Sequence, residues 1–360
     1  MISKNIYTII MAGGIGSRFW PQSRQALPKQ FVDILGAGNS LLEMTWNRAK
    51  KFSSLEDILI LTNKAYEELV ADHLEGVLTE NILTEPSRNN TAPCIAYAAF
   101  KLYKKNPDAV MAILPSDQLI LKEDVYYNKL SKAIDFAKEN NALLTLGIHP
   151  TRPDTGYGYI HFAQDDNEVK KVLSFKEKPN LETAKQYIAS GDYLWNAGIF
   201  IWKAKDAIDA FEKYAPDVYK LFKSGMEFYN TAQEEEFIKE NYPKSPNISI
   251  DYAIMEKAEN VYTVPADMGW SDLGTWASLW SVKDKDENEN VVIAQENILL
   301  SNTKNSIISA HKEKLVVVDG LEDFIIVDKQ DVLLIYPKTK EQEIKDVMKK
   351  LEQRNAHKYL

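Results

Sequence analysis

Five short apolar runs, at residues 7–11, 58–61, 82–83, 110–114 and 143–146, alternate with longer amphipathic stretches through the first half of the chain. The intervening stretches 41–51, 64–74, 91–105 and 124–139 read as helices. In the last of these, Tyr126, Leu130, Ala133 and Ala137 recur at the period of one helix face. Residues 92–100 are apolar nearly all round, which suits a helix buried on most sides. Strands alternating with helices predict a Rossmann-like α/β fold: a mixed, mostly parallel sheet flanked by helices, with right-handed crossovers. Ligands of such open sheets sit beyond the carboxyl ends of the strands, so the residues just after each apolar run are the candidates for function.

From about Thr155 the texture changes. TGYGYIHF (155–162) and KVLSFKEKP (171–179) read as paired strands, with a helix near 181–189 and another strand at 198–202. A polar, helix-rich stretch then runs to about residue 257. KDKDENEN (283–290) has no apolar residue and is the best linker, dividing the chain into a domain at 1–283 and a small β-rich domain at 284–360 that ends in a helix. Within the latter, apolar runs at 291–293, 298–300, 307–308, 315–318, 324–327 and 332–336 recur with turn residues between them, the pattern of a compact all-β element. Over 340–354, Ile344, Val347, Met348 and Leu351 form one apolar stripe, expected to pack on that element or on a partner.

Composition narrows the function. The 43 basic and 52 acidic residues leave a net charge of -9, which argues against a nucleic-acid partner while leaving room for a local basic pocket. Cys94 is the only cysteine, so one chain has neither a disulfide framework nor a cysteine zinc site. The five histidines (His73, His149, His161, His311, His357) are scattered without ligand spacing and read as structural or surface residues. No apolar run approaches the roughly 18–20 residues of a membrane span. The N-terminal segment lacks the basic start, length and cleavage site of a signal peptide. A cytoplasmic protein without a membrane partner is expected.

The strongest motif is MAGGIGSRFWPQSRQALPKQF (11–31), directly after a predicted strand. Gly13, Gly14 and Gly16 remove side chains where the backbone turns, so its N–H groups can approach an anion. Arg18 and Lys29 bring two cations to the same neighbourhood, as a triphosphate leaving group requires. The spacing is neither that of the P-loop nor that of the dinucleotide fingerprint. It resembles the signature of the sugar-1-phosphate nucleotidyltransferases, and FWP (19–21) and PKQF (28–31) favour the mannose-1-phosphate guanylyltransferase branch. The resemblance continues in order through EPSRNNTAP (85–93), LPSD (114–117), TGYGYI (155–160), FKEKP (175–179), WNAGIF (195–200), SIDYAIMEK (249–257) and GWSDLGTW (269–276), covering about residues 5–280. One departure is EPSRNNTAP, where an extra asparagine leaves either Asn89 or Asn90 as the matched residue.

The resemblance implies transfer of GMP from GTP to mannose 1-phosphate, with Mg²⁺ or another divalent cation as cofactor. It assigns the metal to Asp117 and Asp272. A lone loop aspartate is otherwise an N-cap or Asx-turn, and Asp272 could cap a helix starting near Thr275. Arg18 and Lys29 would stabilise the β- and γ-phosphates, and Lys178 the sugar phosphate. Glu177 would accept hydrogen bonds from sugar hydroxyls, Gly156 and Gly158 would let the backbone approach the sugar, and Asn196 could bond its hydroxyls. The competing readings are tight-turn glycines and an edge strand with solvated charges. For guanine, the Gly13–Gly14 backbone, Glu85, Asn90 and Thr91 are candidates. Asp251 lies either near the mannose pocket or at a plain helix cap. Trp20, Trp195, Trp270, Trp276 and Trp280 read as core or pocket wall. The tail resembles the family's short left-handed β-helix, a small β-roll being the alternative, and a homodimer through it is expected.

Two other readings stand beside this one. A related enzyme with a different nucleotide or hexose 1-phosphate would share the fold and differ in site detail. A silent nucleotide-sugar sensor would lack a metal aspartate or a leaving-group cation, and Arg18, Lys29, Asp117, Lys178 and Asp272 are all present. The stretch after Asn288 is expected to be too short for a metal-binding isomerase barrel.

Overall fold

The computed structural model describes residues 5–293, 297–311 and 313–360. Residues 1–4, 294–296 and 312, which the predicted domains include, lie outside the described residues. Two compact units emerge. One comprises Met1–Gly13, Thr45–Ser116 and Ile120–Trp270, the other Gly14–Met44, Asp117–Leu119 and Ser271–Leu360.

The first unit is organised by strands β1 (Ile6–Ala12), β2 (Ile58–Asn63), β3 (Ile82–Glu85), β4 (Val110–Pro115) and, after a two-residue β5 (Leu119–Ile120), β6 (Leu143–Ile148), β7 (Tyr159–Phe162), β8 (Lys170–Lys176), β9 (Tyr193–Lys203) and β10 (Val261–Pro265). Nine of them form one sheet in the order β3-β2-β1-β4-β9-β6-β10-β8-β7. Neighbours β3-β2-β1-β4 run parallel, as do β6 and β10. Antiparallel β9 separates β4 from β6, and β8 opposes both β10 and β7. This is the expected mixed sheet, and each of the five apolar runs is one of its strands.

Those runs are continuously apolar because helices cover both faces. Helices α1 (Leu41–Ala49), α2 (Glu67–His73), α3 (Thr91–Lys105) and α4 (Glu123–Glu139) fall where the periodicity places them. Side chains alternate across a strand. Along β4, Met111 and Ile113 join a cluster with α3, whereas Val110, Ala112 and Leu114 join one with Tyr126, Leu130 and Ala133 of α4. Helix α3 is buried from Ala92 to Phe100, enclosed further by α6 (Ala204–Tyr214) and α7 (Pro216–Lys223), which follow α5 (Leu181–Ser190) and precede α8 (Glu234–Asn241).

The second unit holds α9 (Trp276–Val282) and, beyond the two-residue β11 (Trp270–Ser271), strands β12 (Val291–Ile293), β13 (Ile298–Ser301), β14 (Ile307–Ser309), β15 (Val316–Asp319), β16 (Phe324–Asp328) and β17 (Leu333–Pro337). β12, β14 and β16 pair in parallel, with β17 antiparallel at the edge, while β13 pairs in parallel with β15. Val291, Ile307 and Ile325 are fully buried and lie in register on successive rungs. Parallel rungs repeated on two faces make a short β-helix, one of the two forms that the tail allowed.

Helix α10 (Ile344–Gln353) buries Ile344 and Met348, with Val347 and Leu351 beside them. Its stripe packs within this unit, against a core that includes Phe19, Trp20, Val32 and Ile34 from the glycine-rich segment and Trp276, Leu279 and Val291 from later in the chain. The sequential division at 283/284 runs through this core. The apolar residues of 14–44 find their partners in the C-terminal element, which no local pattern announces. Among the described residues, no helix is long and apolar enough to cross a membrane.

Candidate active site

In the second unit the glycine-rich loop turns at Gly16, φ +70°, into a tight 3₁₀ turn at Ser17–Phe19. A Cβ on Gly16 would stand 2.3 Å from that of Lys29, so the left-handed backbone and the close approach both require glycine. Ser23 Oγ donates to the Gly16 carbonyl (2.6 Å), and the Lys29 N–H donates to that of Ile15 (3.1 Å), folding the two cation-bearing segments together. Gly14 has open space where a side chain would be.

Lys29 is buried, and its Nζ donates to Asp117 Oδ2 (2.8 Å) and to the carbonyls of Asp272 (2.9 Å) and Leu273 (3.0 Å). An ammonium has three donors, and all are engaged. Thr275 caps α9 in a reciprocal pair with Ser278, so Asp272 is not that helix's cap. A Cβ at Gly274 would lie 2.2 Å from Asp272 Oδ2 and 3.5 Å from Arg18 Nη1, so the bare glycine leaves room for carboxylate and guanidinium. Arg18 Nε is buried without a hydrogen-bond partner. Gly16, Arg18, Lys29, Asp117, Asp272 and Gly274 line one cleft of about 290 Å³ with Ser17, Gln118 and Lys345. No group of three or more His, Cys, Asp or Glu that could hold a metal occurs among the described residues. Two hard carboxylates suit Mg²⁺, which keeps water and takes phosphate oxygens for the rest of its shell.

The first unit carries the remaining candidates in two places. Glu85 ends β3, and Gly13 is so close that a Cβ there would be 3.7 Å from Glu85 Oε2. Tyr242 Oη donates a short hydrogen bond to Glu85 Oε1, and the buried Cys94 thiol also bonds the carboxyl. Burial pushes that carboxyl up to about 7, against the opposing pull of these two donors. Asn90, at φ 69°, accepts from the Thr91 N–H as the cap of α3, and Thr91 Oγ1 accepts from the Ile250 N–H (2.9 Å). The neighbouring Asn89 is buried and donates to Ser245 O (2.7 Å) and Oγ (3.1 Å).

A second cluster joins Gly158, Glu177, Lys178, Asn196 and Asp251. Asn196 Nδ2 donates to Asp251 Oδ1 (3.0 Å), while its Oδ1 accepts from Thr145 Oγ1 (3.1 Å) and the Gly198 N–H (3.1 Å). Burial first, and the Glu177 charge second, push the Asp251 carboxyl up to about 6. A Cβ on Gly158 would meet Glu177 Oε2 at 2.6 Å, so this glycine makes room for the glutamate. Lys178, at φ 47°, pairs with Glu177 Oε1 and keeps its side chain 59% exposed. Gly156 sits apart, in an exposed turn closed by Asp154 Oδ1 (2.8 Å). Asp251 opens a single π turn behind Ile250 and caps nothing.

The nucleotidyl transferase family profile matches residues 7–289, and that of the MannoseP isomerase/GMP-like beta-helix domain matches 295–351. The chain belongs to the nucleotidyl transferase family. This nucleotidyl transferase is 37% identical over 357 residues to a putative mannose-1-phosphate guanylyltransferase of Vibrio cholerae serotype O1, covering 98% of this chain and 75% of that one. It is likewise 37% identical over 367 residues to the mannose-1-phosphate guanylyltransferase of Salmonella montevideo, covering 99% and 76%. The crystal structure of mannose-1-phosphate geranyltransferase from Thermus thermophilus superposes with a TM-score of 0.89 at 29% identity, over 97% of this chain and 99% of that one. Nucleotidyltransferases of the family generally use a divalent metal.

Sequence reasoning about this nucleotidyl transferase missed Tyr242 and Cys94 as partners of Glu85, because neither carries a motif. It also missed Arg152, whose guanidinium lies over the Trp195 ring at 5.2 Å, and Tyr157, edge-on to Trp195 and Trp270. The alternating aromatics around TGYGYI were the available signal. The Lys29 geometry yields a stability test. Lys29→Met leaves two carbonyls and Asp117 without their donor and is expected to cost about 2–4 kcal/mol, read as a fall in the urea midpoint at unchanged slope.

Proposed function

We propose that the chain transfers GMP from GTP to mannose 1-phosphate, releasing pyrophosphate and GDP-mannose. The observation that carries this reading is the cleft of the second unit, where a glycine turn, Arg18, Lys29 and two aspartates converge. A phosphate oxygen of mannose 1-phosphate attacks the α-phosphorus in line as the α–β bridging bond breaks and its electron pair leaves with pyrophosphate. The attacking phosphate is already ionised at neutral pH, so positioning and charge neutralisation suffice without a protein base.

Arg18, whose Nε has no hydrogen-bond partner, turns its charge to the β- and γ-phosphates. Lys29 contributes its charge from the cleft floor and sets Asp117 and the Asp272–Leu273 backbone in place. Asp117 and Asp272 would hold Mg²⁺, which when bound neutralises charge on the phosphates. Lys178 serves the sugar phosphate. Glu177, Asn196 and Asp251 serve sugar hydroxyls, with Gly158 clearing space for Glu177 and Gly156 shaping the turn before it. Glu85 beside the Gly13 backbone reads guanine, since an ionised carboxylate accepts from N1–H and the N2 amino group. Asn90 and Thr91 support that end by fixing the start of α3. By this reading catalysis belongs mainly to residues 1–283, and 284–360 is the small β-rich domain.

A homodimer through the β-helix fits its outward apolar rows. Leu299 and Val317 lie opposite one another in register and are exposed, as are Leu333 and Ile335 on β17. Contiguous exposed apolar surface marks an interaction site.

Three outcomes check these statements. Asp117→Asn is expected to abolish metal-dependent GDP-mannose formation and, because it takes the carboxylate charge from the buried Lys29, to lower the melting temperature while circular dichroism still reports a folded chain; near-normal turnover would remove Asp117 from the metal site. Because Glu85 must be ionised to accept, KM for GTP should rise about tenfold from pH 8 to pH 6, and Glu85→Gln should flatten that slope; parallel profiles for the two proteins would take Glu85 off the base. Light scattering of Leu299→Glu/Val317→Glu should report a smaller assembly than wild type, and an unchanged mass would move the interface elsewhere.

A further inference from the structure

We propose that Lys345, carried by α10 at the far end of the chain, is a third phosphate-binding cation of the leaving-group cleft. The β-helix element thereby supplies a residue to the site. The inference rests on the nucleotidyltransfer reading above and deepens it.

Lys345 lines the same 290 Å³ cleft as Arg18, Asp117 and Asp272. Among the described residues it forms no ion pair or hydrogen bond, and two acidic residues of its own segment are committed elsewhere. Glu341 Oε2 accepts from the Ala277 N–H (2.7 Å), and Asp346 pairs with Lys349 (3.0 Å). What faces Lys345 instead is a like charge: the Arg18 guanidinium is the principal cause holding its ammonium below the ordinary lysine range, ahead of burial. Arg18 is itself under-satisfied, with a buried Nε that finds no acceptor. The first turn of a helix favours carboxylates over ammonium groups, so α10 does not account for the lysine either.

Two cations that repel within one cleft, one with an orphaned donor, are stabilised together by an anion that engages both. A β,γ-diphosphate has the charge and the number of acceptor oxygens to engage both, and the pyrophosphate released from it carries the same groups. The apolar stripe explains the precision of the placement. Ile344, beside Lys345 in sequence, is fully buried in the core that also holds Phe19 of the Arg18 turn. One core therefore fixes both cations.

The test uses the full chain with inorganic tripolyphosphate as the probe, followed by titration calorimetry, and steady-state kinetics alongside. Lys345→Gln should weaken tripolyphosphate binding about tenfold, the loss of one charge-assisted hydrogen bond, and raise KM for GTP by a similar factor. KM for mannose 1-phosphate should stay constant. Lys345→Arg should restore most of both effects, and Lys349→Gln, one turn further along, should change neither. Unchanged tripolyphosphate affinity in Lys345→Gln overturns the proposal, as does an equal rise in both Michaelis constants. A wild-type chain that binds no tripolyphosphate overturns the cleft and Lys345 together. Absence of turnover with any nucleoside triphosphate would overturn the nucleotidyltransfer reading, while the calorimetry still decides for or against Lys345.

Discussion

A single buried ammonium organises the cleft of the second unit. Lys29 is withdrawn from water, and Asp117 and two backbone carbonyls take its three donors. Desolvating an ion costs several kcal/mol unless such partners are in place. Conversely, those partners are held wherever the ammonium is. The tie reaches residues 243 positions away in the chain. It sets Asp117 and the Asp272 loop in one cleft before any ligand arrives, which is the preorganisation that charge-stabilised transfer reactions use.

The two units treat electrostatics in opposite ways. In the second, Arg18 keeps a buried Nε without a hydrogen-bond partner and Lys345 faces the Arg18 charge, an arrangement that becomes favourable when an anion enters. In the first, Glu85 and Asp251 are carboxyls raised by burial and braced by neutral donors, Tyr242 and Asn196 respectively. Desolvated acceptors suit a ligand that arrives with N–H or O–H groups, as a base edge or a sugar does. Taken unit by unit, the pattern of the second suits a polyanion and that of the first a ligand rich in hydrogen-bond donors.

Much of this was legible in the residues. The apolar runs at 7–11 and 110–114 predict strands because full burial on two faces needs no alternation. Gly16 predicts a tight turn, and it sits where Lys29 would collide with any Cβ. Other positions were misleading locally. Asp251 looks like a cap and opens a π turn instead, its carboxyl turned to Asn196. Gly158 reads as a place for a sugar to approach and accommodates Glu177. Of the paired asparagines, Asn90 caps α3 while Asn89 anchors Ser245, a division that no spacing rule expresses.

By itself the chain determined its periods and its chemistry: which segments are strands or helices, where glycine is required, and which loops carry cations or carboxylates. These follow from interactions between near neighbours, whose geometry is set by backbone sterics and by the alternation of apolar and polar side chains. Tertiary structure alone decided that residues 14–44 share a core with the C-terminal β-helix, that Lys29 is spent on holding loops, and that Lys345 faces Arg18. Such pairings depend on burial and on charges brought together from distant segments, and desolvation has no value until the surrounding protein has formed.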